Sequence, residues 1–255
     1  MTLLRLFAAS SLVYLFLILS RDFLHTSYVG DDTIIFAILK CLPIWILIGV
    51  ARISSTPEPN SWFTWLVIFG LGFSSLGDFA LALSDKWFVV GLAMFLVAHL
   101  FYIAAFGFPR KALHFARGLP FFALAAGLYY FLLLPKLPGV LVLPVAVYVS
   151  VISTMVWRAA ARVGEGKKQE DAVRGRPRSV TEELVVKRPM GQEGSEWTAF
   201  IGAIVFMVSD LVLAVNKFVV PFQAASLLTM TTYYLGQVLI ASSVNRKPLP
   251  KPKTT

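Results

Sequence analysis

The chain has a single cysteine, three histidines and few charges: only 15% of its 255 residues are Asp, Glu, Lys or Arg. Cys41 has no partner for an internal disulfide and says little about redox compartment. The scarcity of charge, set against 57% hydrophobic residues in long apolar runs, excludes an ordinary soluble domain and describes a membrane protein. Also missing are a Walker loop, a Gly-x-Gly-x-x-Gly dinucleotide fingerprint and a Gly-x-Ser-x-Gly elbow. Nucleotide chemistry and an α/β-hydrolase are therefore set aside.

What is present is apolar sequence in lengths that fit a bilayer, roughly 20 residues each. The predicted spans are Thr2 to Ser20, Thr33 to Val50, Trp62 to Leu83, Trp87 to Gly107, Phe115 to Leu134, Gly139 to Ala161, Trp197 to Phe218 and Phe222 to Val244. The expected fold is all-α, a polytopic membrane protein of eight transmembrane helices with both termini on one side. The first span follows Arg5 as a signal sequence would, but "ILSRDF" offers no small-residue cleavage pattern, so it reads as a retained anchor.

The formal charge of +9 is distributed unevenly. On the side of the termini lie Arg5, Arg52, Arg110, Lys111, Arg117, nine Lys or Arg from Arg158 to Arg188, and Arg246, Lys247, Lys251 and Lys253. The other side has Arg21, Lys86, Lys136 and Lys217. The positive-inside rule makes the termini cytoplasmic, and the excess records topology and attraction to anionic lipid, with no nucleic acid partner implied. Residues 162–196 are charged, rich in Gly and Pro, and read as a mobile basic cytoplasmic loop. Within it "RGRPRSV" has the form of a basophilic kinase site at Ser179. Residues 246–255 read as a cytoplasmic tail, and the whole of 1–255 as one transmembrane domain.

Two stretches repeat. Gly70 precedes Asp78 by eight residues, as Gly202 precedes Asp210; each Asp is followed by x-x-Leu-Ala and then by "KWFVV" or "NKFVV". Tyr102 and Tyr234 keep the same offset. This pattern predicts a parallel four-helix internal repeat, with halves at about 1–107 and 108–245.

A charge near the bilayer centre costs about 2.5–3.5 kcal/mol on insertion scales, so ionisable residues there face a bundle interior or a cavity. Lys40, Asp78, His99 and Asp210 are such residues, and their depths and helical faces predict that they share one polar pocket. Ser74, Tyr102, Tyr148, Ser209, Tyr233, Tyr234 and Gln237 fall near them, with Asn216 and Lys217 at the non-cytoplasmic end. Each has a plainer reading beside the functional one. A lone buried Asp is often a structural partner, His99 an interhelical hydrogen-bonder, and Lys40 a counter-ion or a snorkelling side chain. His25 and His114 fall in loops on opposite sides of the membrane, so a three-His zinc site is not available and no metal or other cofactor is expected. Asp78 and Asp210 remain as a paired-carboxylate site.

"KCLPIW" at Lys40, "GLGFSSLGD" at Asp78, "GLAMFLVAHLFYIAAFG" through His99 and Tyr102, "VYVSVISTMVWRA" through Tyr148, "GAIVFMVSDLVLAVNKF" through Asp210 and "TTYYLGQVLIASS" through Gln237 carry a resemblance. Together they resemble the YhhN-like transmembrane proteins, the lysoplasmalogenases, and look most like the animal members, which are endoplasmic reticulum proteins. The loop at 162–196 is longer than the family's usual connection. The resemblance implies hydrolysis of the vinyl ether bond of a lysoplasmalogen to a fatty aldehyde and glycerophosphocholine or glycerophosphoethanolamine. Lysophospholipid, membrane lipid and water are then the expected partners, with a homodimer among the options.

Protonating a vinyl ether at its β-carbon makes an oxocarbenium ion, which water attacks. The acid must keep its proton near neutral pH, which an apolar surrounding favours, and the cation is steadied by a negative charge. Two-carboxylate glycosidases meet the same two needs. Asp78 and Asp210 are accordingly expected to be acid and ionised partner in either order, with His99 orienting water or tuning a carboxyl. Lys40 would meet phosphate or hold an Asp ionised. Tyr102, Tyr233, Tyr234 and Gln237 would line a head-group pocket. Two other classes fit the same residues: a proton-coupled or small-molecule transporter using Asp78 and Asp210, and a membrane scaffold.

Overall fold

The computed structural model describes residues 2–23, 33–54, 62–108, 114–164 and 193–244, all in helices and the turns between them. The eight helices are α1 (Thr2–Phe23), α2 (Thr33–Ser54), α3 (Trp62–Leu83), α4 (Phe88–Phe106), α5 (Phe115–Leu128), α6 (Gly139–Arg162), α7 (Glu193–Ala214) and α8 (Ala225–Ser242). α5 and α7 each continue into a π-helical turn, Tyr129–Leu133 and Val215–Val219.

Seven of these helices, α1 to α7, are long and apolar enough to cross a membrane. α8 is the exception among the eight predicted spans, and its composition explains why. Thr229, Thr231, Thr232, Tyr233, Tyr234 and Gln237 lower its hydropathy, and several of these side chains are buried against other helices, where polar groups can find partners. Its 18 residues span about 27 Å, close to the thickness of the hydrocarbon core. The chain is thus an all-α polytopic membrane protein.

Neighbouring helices close a ring in the order α2, α3, α4, α6, α7, α8 and back to α2. α1 packs outside the ring against α2 and α8, and α5 outside it against α6. With no hydrophobic drive between helices in lipid, close approach supplies the packing energy. At the α7/α8 crossing a Cβ on Gly236 would stand 3.0 Å from the Phe206 backbone nitrogen and 3.1 Å from the Gly202 carbonyl, so both glycines are required by the contact. Gly70 on α3 lies flat against the Tyr102 ring, and any Cβ there would overlap it.

One end of the bundle is tied by polar side chains. Arg117 Nη1 donates to the carbonyls of Ala160 (3.1 Å) and Val163 (2.8 Å) where α6 ends. Arg158 Nε donates to the Gly107 carbonyl at 2.7 Å. α7 begins at Glu193, so the last part of the segment read as a loop is helical. The Gly164 backbone N–H donates to Glu196 Oε2 at 3.1 Å, drawing together the ends of α6 and α7. Ser179, the centre of the 162–196 loop and the 246–255 tail lie outside the described residues.

Candidate active site

Asp78 sits on α3 and faces α2. Its Oδ1 is 3.3 Å from Lys40 Nζ, and only 2% of the Asp78 side chain and 10% of the Lys40 side chain are exposed. Pro43 removes one backbone donor from α2 close by, and the Tyr234 hydroxyl donates to the Lys40 carbonyl at 2.7 Å. α8 thereby braces the turn that carries the lysine. Tyr233 brings its hydroxyl toward the Asp78 carboxyl without forming a well-shaped hydrogen bond. Next to it Tyr102 on α4 donates to Gln237 Oε1 at 2.8 Å. The Tyr102 ring is placed by Gly70, whose missing Cβ leaves room for it.

Asp210, on α7, belongs to a second group. Tyr148 on α6 donates its hydroxyl to Asp210 Oδ2 at 2.6 Å, a short hydrogen bond. His99 on α4 places Nε2 at 3.6 Å from the same oxygen, beyond hydrogen-bond length, and its ring also lies near the Phe95 backbone carbonyl. The His99 ring is fully buried between aromatic faces, edge-on to Tyr148 (5.3 Å) and Phe206 (4.8 Å).

The two groups do not merge into the single polar pocket expected from depth and helical face. Phe206 touches both His99 and Tyr233, and Phe95 touches Phe206 and Tyr233, so an aromatic partition stands between them. Residue spacing within each span could not show which rings intervene.

A cavity of about 160 Å³ is lined by only one of the two carboxyls. Its walls come mostly from α4, α5, α6 and α7 and are almost wholly apolar, with Phe95, Leu124, Ile152 and Met207 among them. Asp210 and Tyr148 line it; Asp78 and Lys40 do not. The arrangement is a carboxyl with a hydroxyl partner opening onto a hydrocarbon-lined space. The wall residues were missed by sequence reading because a Leu or Phe lining a cavity looks the same as one facing lipid.

The remaining candidates fall outside both groups. Ser209 donates to the Thr229 carbonyl at 2.9 Å and ties α7 to α8. Asn216 Oδ1 accepts the Phe222 backbone N–H at 3.1 Å in the turn that follows α7. Lys217 pairs with Asp85 at 2.6 Å, at the end of the bundle.

The YhhN family profile matches residues 35–244, which include every helix of the ring. Lysoplasmalogenase TMEM86A of Homo sapiens is 35% identical over 226 residues, covering 83% of this chain and 80% of that protein. Lysoplasmalogenase TMEM86B of Homo sapiens is 34% identical over 215 residues, covering 84% and 77%. Lysoplasmalogenase TMEM86B of Rattus norvegicus is 35% identical over 214 residues, covering 83% and 74%. No solved structure gives a significant match.

Proposed function

The chain belongs to the YhhN family, and from that premise we propose that it is a lysoplasmalogenase, hydrolysing the vinyl ether bond of lysoplasmalogens to a fatty aldehyde and a glycerophospho-alcohol. The relatives that carry that name align over most of their length. The observation that carries the reading is Asp210: a carboxyl at the wall of an apolar cavity, hydrogen-bonded by Tyr148 and approached by His99.

Asp210 is the acid. It gives its proton to the β-carbon of the vinyl ether, whose π electrons form the new C–H bond and leave an oxocarbenium ion across the α-carbon and oxygen. The aspartate left behind faces that cation, and Tyr148 steadies its negative charge through the 2.6 Å hydrogen bond. Water adds to the α-carbon and loses a proton to Asp210 or to His99. The hemiacetal then collapses: its hydroxyl proton leaves, the bond from the α-carbon to the glycerol oxygen breaks, and that oxygen takes up a proton. His99 needs a shift of less than an ångström to reach hydrogen-bond length, the kind of tightening substrate brings.

Asp78 is the ionised partner. Lys40 neutralises it locally, and the pair acts on the reacting cation through its field and on the site by fixing α2, α3 and α8. Tyr102, Tyr233, Tyr234 and Gln237 hold that arrangement in place. The distribution of Lys and Arg supports cytoplasmic termini, and the likeness to animal proteins supports the endoplasmic reticulum as the membrane.

The test uses purified full-length protein in detergent with 1-alkenyl-glycerophosphocholine. Fatty aldehyde is expected, with a slower kcat in deuterated solvent because the proton goes to carbon. A transporter has no second compartment to act across in detergent, and absence of aldehyde there would remove the enzyme reading.

A further inference from the structure

Lys217 and Asp85 form an ion pair beside the catalytic cavity that the reaction scheme does not use. Lys217 lies in the π-helical turn after α7, and Asp85 in the short turn between α3 and α4. Lys217 Nζ is 2.6 Å from Asp85 Oδ1, with 92% of the Asp85 side chain exposed and 33% of Lys217. The ammonium also stands 5.2 Å over the ring of Phe88, and Phe88 meets Phe218 edge to face at 5.6 Å. Both rings line the cavity that Asp210 lines. The pair therefore sits at the cavity's rim.

We propose that Asp85 and Lys217 form the head-group site for a zwitterionic lysophospholipid, Lys217 taking the phosphate and Asp85 the ammonium. This rests on the reading of the chain as a lysoplasmalogenase. An exposed ion pair contributes little, about 0–1 kcal/mol, so a ligand carrying both charges can replace it without a large penalty. A zwitterion converts one pair into two, lysine with phosphate and aspartate with ammonium. The neighbouring rings of Phe88 and Phe218 add faces suited to a quaternary ammonium. Lys217 is seven residues beyond Asp210, about 10 Å along a helix axis, a span of the same order as that from the sn-1 vinyl ether through glycerol to the head group. The lipid would then place its head at the non-cytoplasmic end of the bundle and its chain along the apolar wall. Lys40, sealed against Asp78 and absent from the cavity wall, is not placed to meet phosphate.

The experiment measures binding separately from chemistry. Saturated 1-O-hexadecyl ethers, which cannot be cleaved as vinyl ethers, are offered to the full-length protein at a fixed lipid-to-detergent ratio and read by native mass spectrometry. Three head groups are compared: phosphocholine, phosphate alone, and none. In Asp85→Asn the affinity ratio of phosphocholine to bare phosphate is expected to fall about tenfold, since only the ammonium contact is lost. In Lys217→Met both phosphate-bearing lipids are expected to fall about tenfold relative to hexadecylglycerol. Ratios equal to those of the wild type in both variants would overturn the proposal. Wild-type discrimination that shifts as expected, without aldehyde release from the alkenyl lipid, would keep the head-group site and remove the hydrolase. Aldehyde release with no head-group discrimination would do the reverse.

Discussion

Tyr148 on α6 donates a 2.6 Å hydrogen bond to Asp210 on α7, and these two side chains bring the polar chemistry to an otherwise apolar cavity. The bond joins α6 to α7 and leaves Asp210 Oδ1 without the phenol. Oδ2 is occupied by the phenol, which under the proposed assignment leaves Oδ1 to carry the transferable proton.

Tyr148→Phe keeps the ring and removes that bond. A hydrogen bond to a charged group is worth about 1.5–3 kcal/mol, so kcat for aldehyde release should fall about 10- to 100-fold with KM little changed. A fall confined to KM would show that the phenol binds substrate and does not steady the carboxylate.

His99→Phe should fold, because the ring site is aromatic on two sides, and should lower kcat about 100-fold, the scale of general acid–base assistance. A full-rate variant would confine His99 to packing.

Lys40→Met leaves a buried aspartate without its cation. Removing one partner of such a pair costs about 3–5 kcal/mol, whereas replacing both with apolar residues is far milder. The single variant should therefore melt well below the Lys40→Met, Asp78→Leu double variant in detergent. Equal melting temperatures would show that the pair is not coupled.

Val149→Trp puts bulk into the cavity wall and leaves both partners of the Tyr148 hydrogen bond to Asp210 unsubstituted. Long-chain substrate should lose at least about tenfold in kcat/KM while a short-chain vinyl ether keeps most of its rate, a difference of about 1.4 kcal/mol in binding the chain. Equal losses for both would place the alkenyl chain elsewhere.

Much of this was legible in the sequence. The apolar run lengths gave all eight helices, with ends shifted by a few residues where Phe23, Ser54 and Glu193 extend the helical turns. The intramembrane polar residues pointed to the candidate site because each is costly in lipid and must face inward. What the sequence could not show was how the two carboxyls are divided. The division depends on Phe95, Phe206 and Tyr233 packing between them, and aromatic residues are so common in these helices that nothing marks the three in advance. The pairing of Lys40 with Asp78 was among the sequence-level readings, but its seclusion from the cavity was not. Asp85 was passed over because an exposed acid in a turn carries no signal until Lys217 is seen against it.

The most direct test is aldehyde release by Asp210→Asn, purified in detergent and shown to elute and melt as the wild type does. Asparagine keeps the shape of the side chain and can still meet Tyr148, but it cannot give the proton. Loss of at least about 100-fold in kcat is expected, in line with removal of a general acid. Aldehyde release at the native rate from that variant would contradict the assignment of Asp210 as the acid.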